Sequence, residues 1–350
     1  MKKIIFLCIL TVTVGGFAFA QEQDPGFSNT LYTGFGTASV AIPDNQPAFN
    51  KSDEVIFEGF VDYFSANVTV GNLVIAGDIA WSLGYNGNFE TAKFYEWNFN
   101  AVMNPIAGLD IGIGTNLDWT VGPAPTYGPS YTAYTIPSYA GLGIWNADGA
   151  VVNTFADKAM AIRYTFADII QAGFGLNNDN GQGYGLGVKA NILDLFHLGF
   201  AYNGTFKEGD SNFYVGSSLF IVDGFDIDIW FNHYSLVNTT IGGRVSFYKN
   251  NFFFAPEGSV TLWDANNRSL SAYAGLDMYM SITSKMLLGA YFSWGYGDEA
   301  GTRLNANPYF IWNITNAHSI AIGANLMPLW PESGDLDFYW NVPISWRVRF

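Results

Sequence analysis

DFYWNVPISWRVRF, residues 337 to 350, divides by parity into two chemistries. In an extended strand, successive side chains point to opposite faces. Phe338, Trp340, Val342, Ile344, Trp346, Val348 and Phe350 therefore share one face, and Asp337, Tyr339, Asn341, Pro343, Ser345, Arg347 and Arg349 the other. A long, apolar, unpaired strand at a chain end invites aggregation, so soluble proteins keep such edges short and charged. This strand must therefore be paired along its edges and faced by something apolar. Lipid on one side and water on the other meet that need in the wall of a membrane β-barrel.

Upstream of this strand, the rest of the chain agrees. Lys2 and Lys3, the apolar run Ile4 to Val14 and the small-x-small triplet Ala18-Phe19-Ala20 read as an export signal cleaved after Ala20, which makes residues 1–20 the signal and 21–350 one domain. The single cysteine, Cys8, lies in that signal, so the exported chain has no thiol. Hydrophobic residues make up 49% of the sequence and charged ones 13%, yet no later run is long and apolar enough for a helical span. Aromatics at 17% and 39 glycines fit a wall with aromatic girdles and tight turns. Net charge is −15, or −17 once Lys2 and Lys3 are removed, and no basic patch offers itself to phosphates, so nucleic acid is not an expected partner.

Period-two alternation recurs along the chain, broken in turn by short joints and longer polar ones. Leu109, Ile111, Ile113, Leu117 and Trp119 alternate with Asp110, Gly112, Gly114, Asn116 and Asp118. Phe225, Ile227, Ile229 and Phe231 alternate with Asp226, Asp228, Trp230 and Asn232. Short joints fall near Gly71, Pro105, Ala167-Asp168, Asp194, Asp223-Gly224, Lys249-Asn250, Thr283 and Thr315-Asn316. The expectation is an all-β, antiparallel up-and-down transmembrane barrel with an even number of strands: eighteen from a start near Asn29, or else sixteen. Short turns should lie at the periplasmic rim and longer loops outside. One joint, residues 121–157, is far longer and rich in proline, tyrosine and glycine. Either it folds into the barrel mouth and narrows the pore, or it lies over the rim or holds an extra strand pair near residues 138–145.

The alternation assigns to the lumen Glu58, Asp62, Asp78, Glu96, Asp110, Asp118, Asp226, Asp228, Glu257, Asp277 and Asp337. Opposing them are Arg163, Lys189, Arg244, Lys285, Arg303, Arg347 and Arg349. Acids in excess attract cations, which predicts weak cation selectivity. Phe60, Phe64, Trp230 and Tyr279 are also read as inward, where they would make a greasy path.

Little in the sequence points to catalysis or to a bound group. His197, His233 and His318 fall on separate strands without metal-pair spacing, and no G-x-S-x-G elbow occurs. The glycine-rich stretches Gly112-Ile113-Gly114 and Gly183 to Gly187 are not followed by a helix and do not read as phosphate loops. The expectation is no catalytic residue, no metal and no cofactor.

The signal, the alternating strands and the ending Trp346-Arg347-Val348-Arg349-Phe350 together resemble bacterial outer-membrane β-barrel proteins of the porin type. That resemblance implies a bacterial outer-membrane location, contact with outer-membrane lipid, and recognition of Ile344, Trp346, Val348 and Phe350 by the barrel-assembly machinery. A homotrimer is a common assembly among such proteins. The acidic constriction-loop motif of general porins has no match in residues 121–157, whose only acids are Asp148 and Asp157. The resulting expectation is a channel for passive diffusion of small hydrophilic solutes. Its alternatives are a channel for apolar substrates, as in fatty-acid transporters, or a surface adhesin or antigen on a barrel platform.

Overall fold

The computed structural model describes residues 26–40, 56–84, 93–114, 117, 119–123, 151–153, 160–176, 183–193, 195–205, 211–235, 237–263, 269–297, 301–331 and 336–349. The first nine strands are β1 (Gly26–Val40), β2 (Ile56–Val70), β3 (Leu73–Gly84), β4 (Lys93–Ile106), β5 (Leu109–Gly114), β6 (Thr120–Pro123), β7 (Val151–Asn153), β8 (Met160–Phe166) and β9 (Ile170–Leu176). Next come β10 (Gly183–Ile192), β11 (Phe196–Thr205), β12 (Asn212–Val222), β13 (Phe225–Tyr234), β14 (Asn238–Lys249) and β15 (Phe252–Trp263). The chain closes with β16 (Leu270–Thr283), β17 (Met286–Gly297), β18 (Gly301–Asn313), β19 (His318–Gly323), β20 (Asn325–Trp330) and β21 (Asp337–Arg349).

All pairings are antiparallel. They run from β1 to β5, pass to β8, and continue strand by strand to β18. Strands β19 and β20 lie end to end between β18 and β21 and act as one stave. Strand β21 then pairs with β1 from Ser28–Arg349 to Val40–Asp337, so the ladder returns to its first strand. Nineteen strands with one stave in two pieces make eighteen staves among the described residues, the even number expected.

Tight turns set the register at one end of this wall. Ala167 and Asp168 both adopt left-handed conformations, φ 50° and 57°, at the centre of a primed turn closed by Ile169 N–H donating to the Phe166 carbonyl, within the three-residue joint between β8 and β9. Gly71 and Gly224 supply φ 59° and 81° where a Cβ is disfavoured. Asp223-Gly224 and Thr315-Asn316 fall at hairpin turns as the sequence indicates. Both ends of the described chain, Gly26 and Arg349, lie at this same rim, because β1 and β21 pair there.

The two faces differ as alternation requires. Ile113, Ile229 and Ile241 are each 57% exposed on the outside, whereas on β13 the neighbouring inward residues Asp228 and Trp230 are 5% and 1% exposed. Large hydrophobics stay exposed along nearly every stave. A soluble monomer rarely shows a contiguous apolar patch beyond a few hundred Å². Such a wall has hydrocarbon as its natural solvent, and its returning ladder leaves no strand edge for lipid to meet.

Register corrects part of the lumen assignment. Asp62 stands opposite Leu31 on one side and Trp81 on the other, and Leu31 is opposite Trp346, which is exposed on the outer wall. Asp62 thus belongs to an outward row and not to the lumen rows. Phe60 and Phe64 fall in the same alternation, with Phe64 opposite the exposed Ile79. Glu58 has no register partner on β1, because pairing steps from Gly34–Gly59 to Phe35–Phe57 across a bulge. A bulge adds one residue and reverses parity, which is why simple alternation fails there. Ala18, Ala20, Asp118 and Phe350 lie outside the described residues.

A charge placed on the outer belt should report the hydrocarbon directly. Ile229→Arg is expected to lower the unfolding free energy in lipid by roughly 2–4 kcal/mol if the position is near the bilayer midplane. Denaturant titration in vesicles measures this, and an unchanged midpoint would mean that the face is not in lipid.

Candidate functional site

The inner wall is built from adjacent register rows that climb around the barrel. One row runs Asn191, His197, Ser218, Asp228, Arg244, Glu257, Gly275, Ser293, Asn305. The next runs Lys189, Gly199, Gly216, Trp230, Gly242, Ser259, Tyr273, Gly295, Arg303. The first row is almost wholly polar. The second alternates large side chains with glycine, giving each ring or guanidinium a bare neighbour to lie against.

Charges on this wall meet in pairs. Arg244 Nε and Nη2 both donate to Asp228 Oδ2, at 3.0 and 2.7 Å. Arg163 Nε donates to Asp110 Oδ2 at 2.7 Å, its Nη2 reaches the same oxygen, and Asn104 Nδ2 donates to Asp110 Oδ1. Cross-strand register puts both pairs in contact, Asp228 opposite Arg244 and Asp110 opposite Arg163. Asp226 lies two residues from Asp228 on the same face of β13. Asp277 is buried at 3% exposure, in the row of Tyr291 and Asn307. Arg303 Nη2 approaches Met327 Sδ at 3.1 Å.

Hydrogen bonding extends these pairs into a network that the sequence reading did not single out. Tyr273 OH donates to Glu257 Oε1 at 2.6 Å and also meets Tyr291 OH. Asn307 Nδ2 donates to Asn325 Oδ1 at 3.0 Å, and both residues are 1% exposed. The signal for them was present as inward polar positions of apolar-alternating strands, but parity gives no partner. Among the described residues no group of His, Cys, Asp and Glu is arranged to hold a metal. His197 stands inward against Phe220, His233 bonds Thr239, and His318 stacks on Trp346.

The beginning of the long joint lies inside the barrel. Strand β5 stops at Gly114, so Leu117 and Trp119 do not continue its outer face as alternation suggested. They are 4% exposed, and with Val121 they pack against Ala161, Ala201, Tyr214 and Trp230. Trp119 Nε1 donates to Gln171 Oε1 at 3.1 Å, and Tyr214 OH donates to the Pro123 carbonyl. Apolar alternation marks a residue as needing apolar company. It does not say whether lipid or the lumen provides it. Gly199 makes room for the segment: a Cβ there would stand 2.7 Å from the Val121 carbonyl carbon. Strand β6 pairs with β7, while residues 124–150 and 154–159 lie outside those described.

No family model matches this sequence, and no curated protein matches it significantly. Solved structures do match. OccAB3 of Acinetobacter baumannii aligns at TM-score 0.60 and 9% identity, over 93% of this chain and 100% of that one. OccK5 (OpdH) of Pseudomonas aeruginosa aligns at TM-score 0.57 and 10% identity, over 93% and 98%. OpdK of the same organism, solved with vanillate, gives 0.57 and 10% over 93% and 99%. The chain shares the fold of these proteins, an all-β antiparallel up-and-down barrel.

Two predictions follow from this geometry. Arg244→Met strands the buried Asp228 carboxylate and should cost about 3 kcal/mol, whereas adding Asp228→Leu to it should restore much of that loss. A double-mutant cycle in denaturant reads the coupling, and additive effects would deny the pair a structural role. Gly199→Val should push the Val121–Pro123 backbone off the wall, changing single-channel conductance while heat-modifiable gel mobility shows an intact barrel.

Proposed function

We propose that the chain works in the bacterial outer membrane as a passive channel for small hydrophilic solutes with a weak preference for cations. The observation that carries this reading is the contrast between the faces: an apolar belt outside, and inside a wall of acid–base pairs, amides and hydroxyls on which water and polar solutes find hydrogen-bond partners. The inward segment around Leu117 to Pro123 occupies part of the lumen and is positioned to narrow it. The porin fold of the neighbours supports a channel in general and leaves the solute open.

Location and assembly follow the same reading. The signal ending at Ala20 would direct export, and β21 would serve as the strand recognised during barrel assembly. Ile344, Trp346 and Val348 lie in its outward rows, opposite Thr33, Leu31 and Asn29 of β1. Recognition of such a strand must precede its last pairing, because the β1–β21 ladder hides its edge. A homotrimer in outer-membrane lipid is the proposed assembly. The apolar-substrate alternative loses part of its path, since Phe60 and Phe64 fall in outward rows while Trp230 is covered by the inward segment.

Vesicles containing the protein should swell with small sugars and progressively less with larger ones. Absence of swelling with the smallest sugar would turn the assignment toward adhesion or lipid transport. In planar bilayers under a salt gradient the reversal potential should indicate modest cation preference, and Asp226→Asn with Asp277→Asn should shift it toward zero. An anion-selective wild type would overturn the charge argument.

A further inference from the structure

We infer that the lumen wall carries a binding subsite for a neutral polyhydroxylated ring, a sugar unit, over Gly295 between Tyr273 and Arg303. The inference rests on the channel reading above and gives its solute a chemical class. It starts from a cavity of about 740 Å³ lined by β15 to β18 and β20. Two adjacent register rows form its floor: Ser259, Tyr273, Gly295 and Arg303 in one, Thr261, Ser271, Gly297 and Gly301 in the next. A Cβ added at Gly295 would meet no atom within 4 Å, so the middle of the floor is open space.

The chemistry around that space is mixed in a particular way. The Tyr273 ring, Met327 and Leu329 offer apolar surface suited to the C–H face of a pyranose. Hydroxyls of Ser259, Thr261 and Ser271 line the opposite part, and two are held by neighbours: Thr261 Oγ1 lies 2.8 Å from Thr240 Oγ1, and Ser271 Oγ accepts from Trp263 Nε1 at 3.0 Å. Arg303 brings guanidinium donors. Glu257, buried and outside the cavity lining, accepts from Tyr273 OH at 2.6 Å and sets a negative charge behind that ring. Asp337 lies two strands beyond Arg303 in the same register row.

A carboxylate ligand would use the guanidinium but face this acidic flank. A hydroxyl both donates and accepts, so a polyol can satisfy the serine and threonine hydroxyls and the guanidinium together while its ring rests on the apolar part. Burying one polar partner without the other is costly, and this favours the ligand that matches both.

Titration calorimetry of the full chain folded in detergent micelles tests the subsite without any flux measurement, using maltotriose and, as the anionic comparison, benzoate. Maltotriose is expected to bind saturably. Gly295→Trp, which fills the open floor, should weaken it by about tenfold or more, while Arg303→Gln, which keeps donors but removes charge, should preserve most of the affinity. If Gly295→Trp does not fold, Thr261→Leu takes its place with the same expected loss. Saturable benzoate binding without maltotriose binding overturns the inference, as does maltotriose binding indifferent to both filling variants. Failure of maltotriose to bind a protein that conducts ions removes the sugar subsite alone, whereas binding without any swelling or conductance removes the channel function and leaves the subsite.

Discussion

The pairing of β21 with β1 is the contact on which the rest depends. In hydrocarbon each unpaired backbone N–H or C=O costs several kcal/mol, so a sheet in lipid has no tolerable edge. Eighteen staves with short turns at one rim bring the last strand alongside the first in antiparallel sense, which an odd number would not do. The aromatic and β-branched side chains of β21 then have lipid outside, while its alternate residues join the inner rows. Without that seam, both strands would present long, apolar, unpaired edges.

Closing a wide wall raises a second problem, what fills its inside. Small barrels fill with side chains and large ones with water. Here part of the space is taken by the chain itself. Glycines at 199 and 216 bare the backbone of β11 and β12, Tyr214 reaches across to the Pro123 carbonyl, and Leu117, Trp119 and Val121 find apolar company on an otherwise polar surface. Sequence and packing agree closely at Gly199, where a side chain and the segment could not coexist. On the polar remainder of the wall Arg244 holds Asp228 and Asn325 holds Asn307, and these pairings permit both residues to be nearly inaccessible.

Where the sequence was legible, one face had a single purpose. On β13 and β18 the outward residues are apolar except His233 and Thr302 near one rim, and the inward ones are mostly polar, so parity alone places Asp226, Asp228 and Arg303. Strand β2 was illegible because large apolar residues occupy both parities, Phe60 and Phe64 against Val61 and Tyr63, and because the bulge at Glu58 reverses the phase within the strand. Asp62 was misplaced for that reason. Leu117 and Trp119 failed differently: their alternation was real, but it continued beyond the end of β5 into a segment that turns inward. Partners such as Tyr273 for Glu257 depend on register across strands, which periodicity within one strand does not contain.

The charge of the lumen shows how register changes a conclusion. Among inner-wall residues with described side chains, Asp110, Asp226, Asp228, Glu257 and Asp277 stand against Arg163, Lys189, Arg244 and Arg303, five acids to four bases. Register adds Asp78, Glu96 and Asp337 on one side and Lys93, Arg347 and Arg349 on the other, which makes eight to seven among the described residues. Two of the acids are bonded to arginines, so their fields largely cancel beyond a few ångströms. The precursor's −15 is therefore a poor guide to the pore, since most of that excess is not on the inner rows. An inner wall near −1 by this count, with two of its acids bonded to arginines and ionic screening of about 10 Å at 0.1 M salt, carries only a weak net field, so the proposed cation preference has to be small.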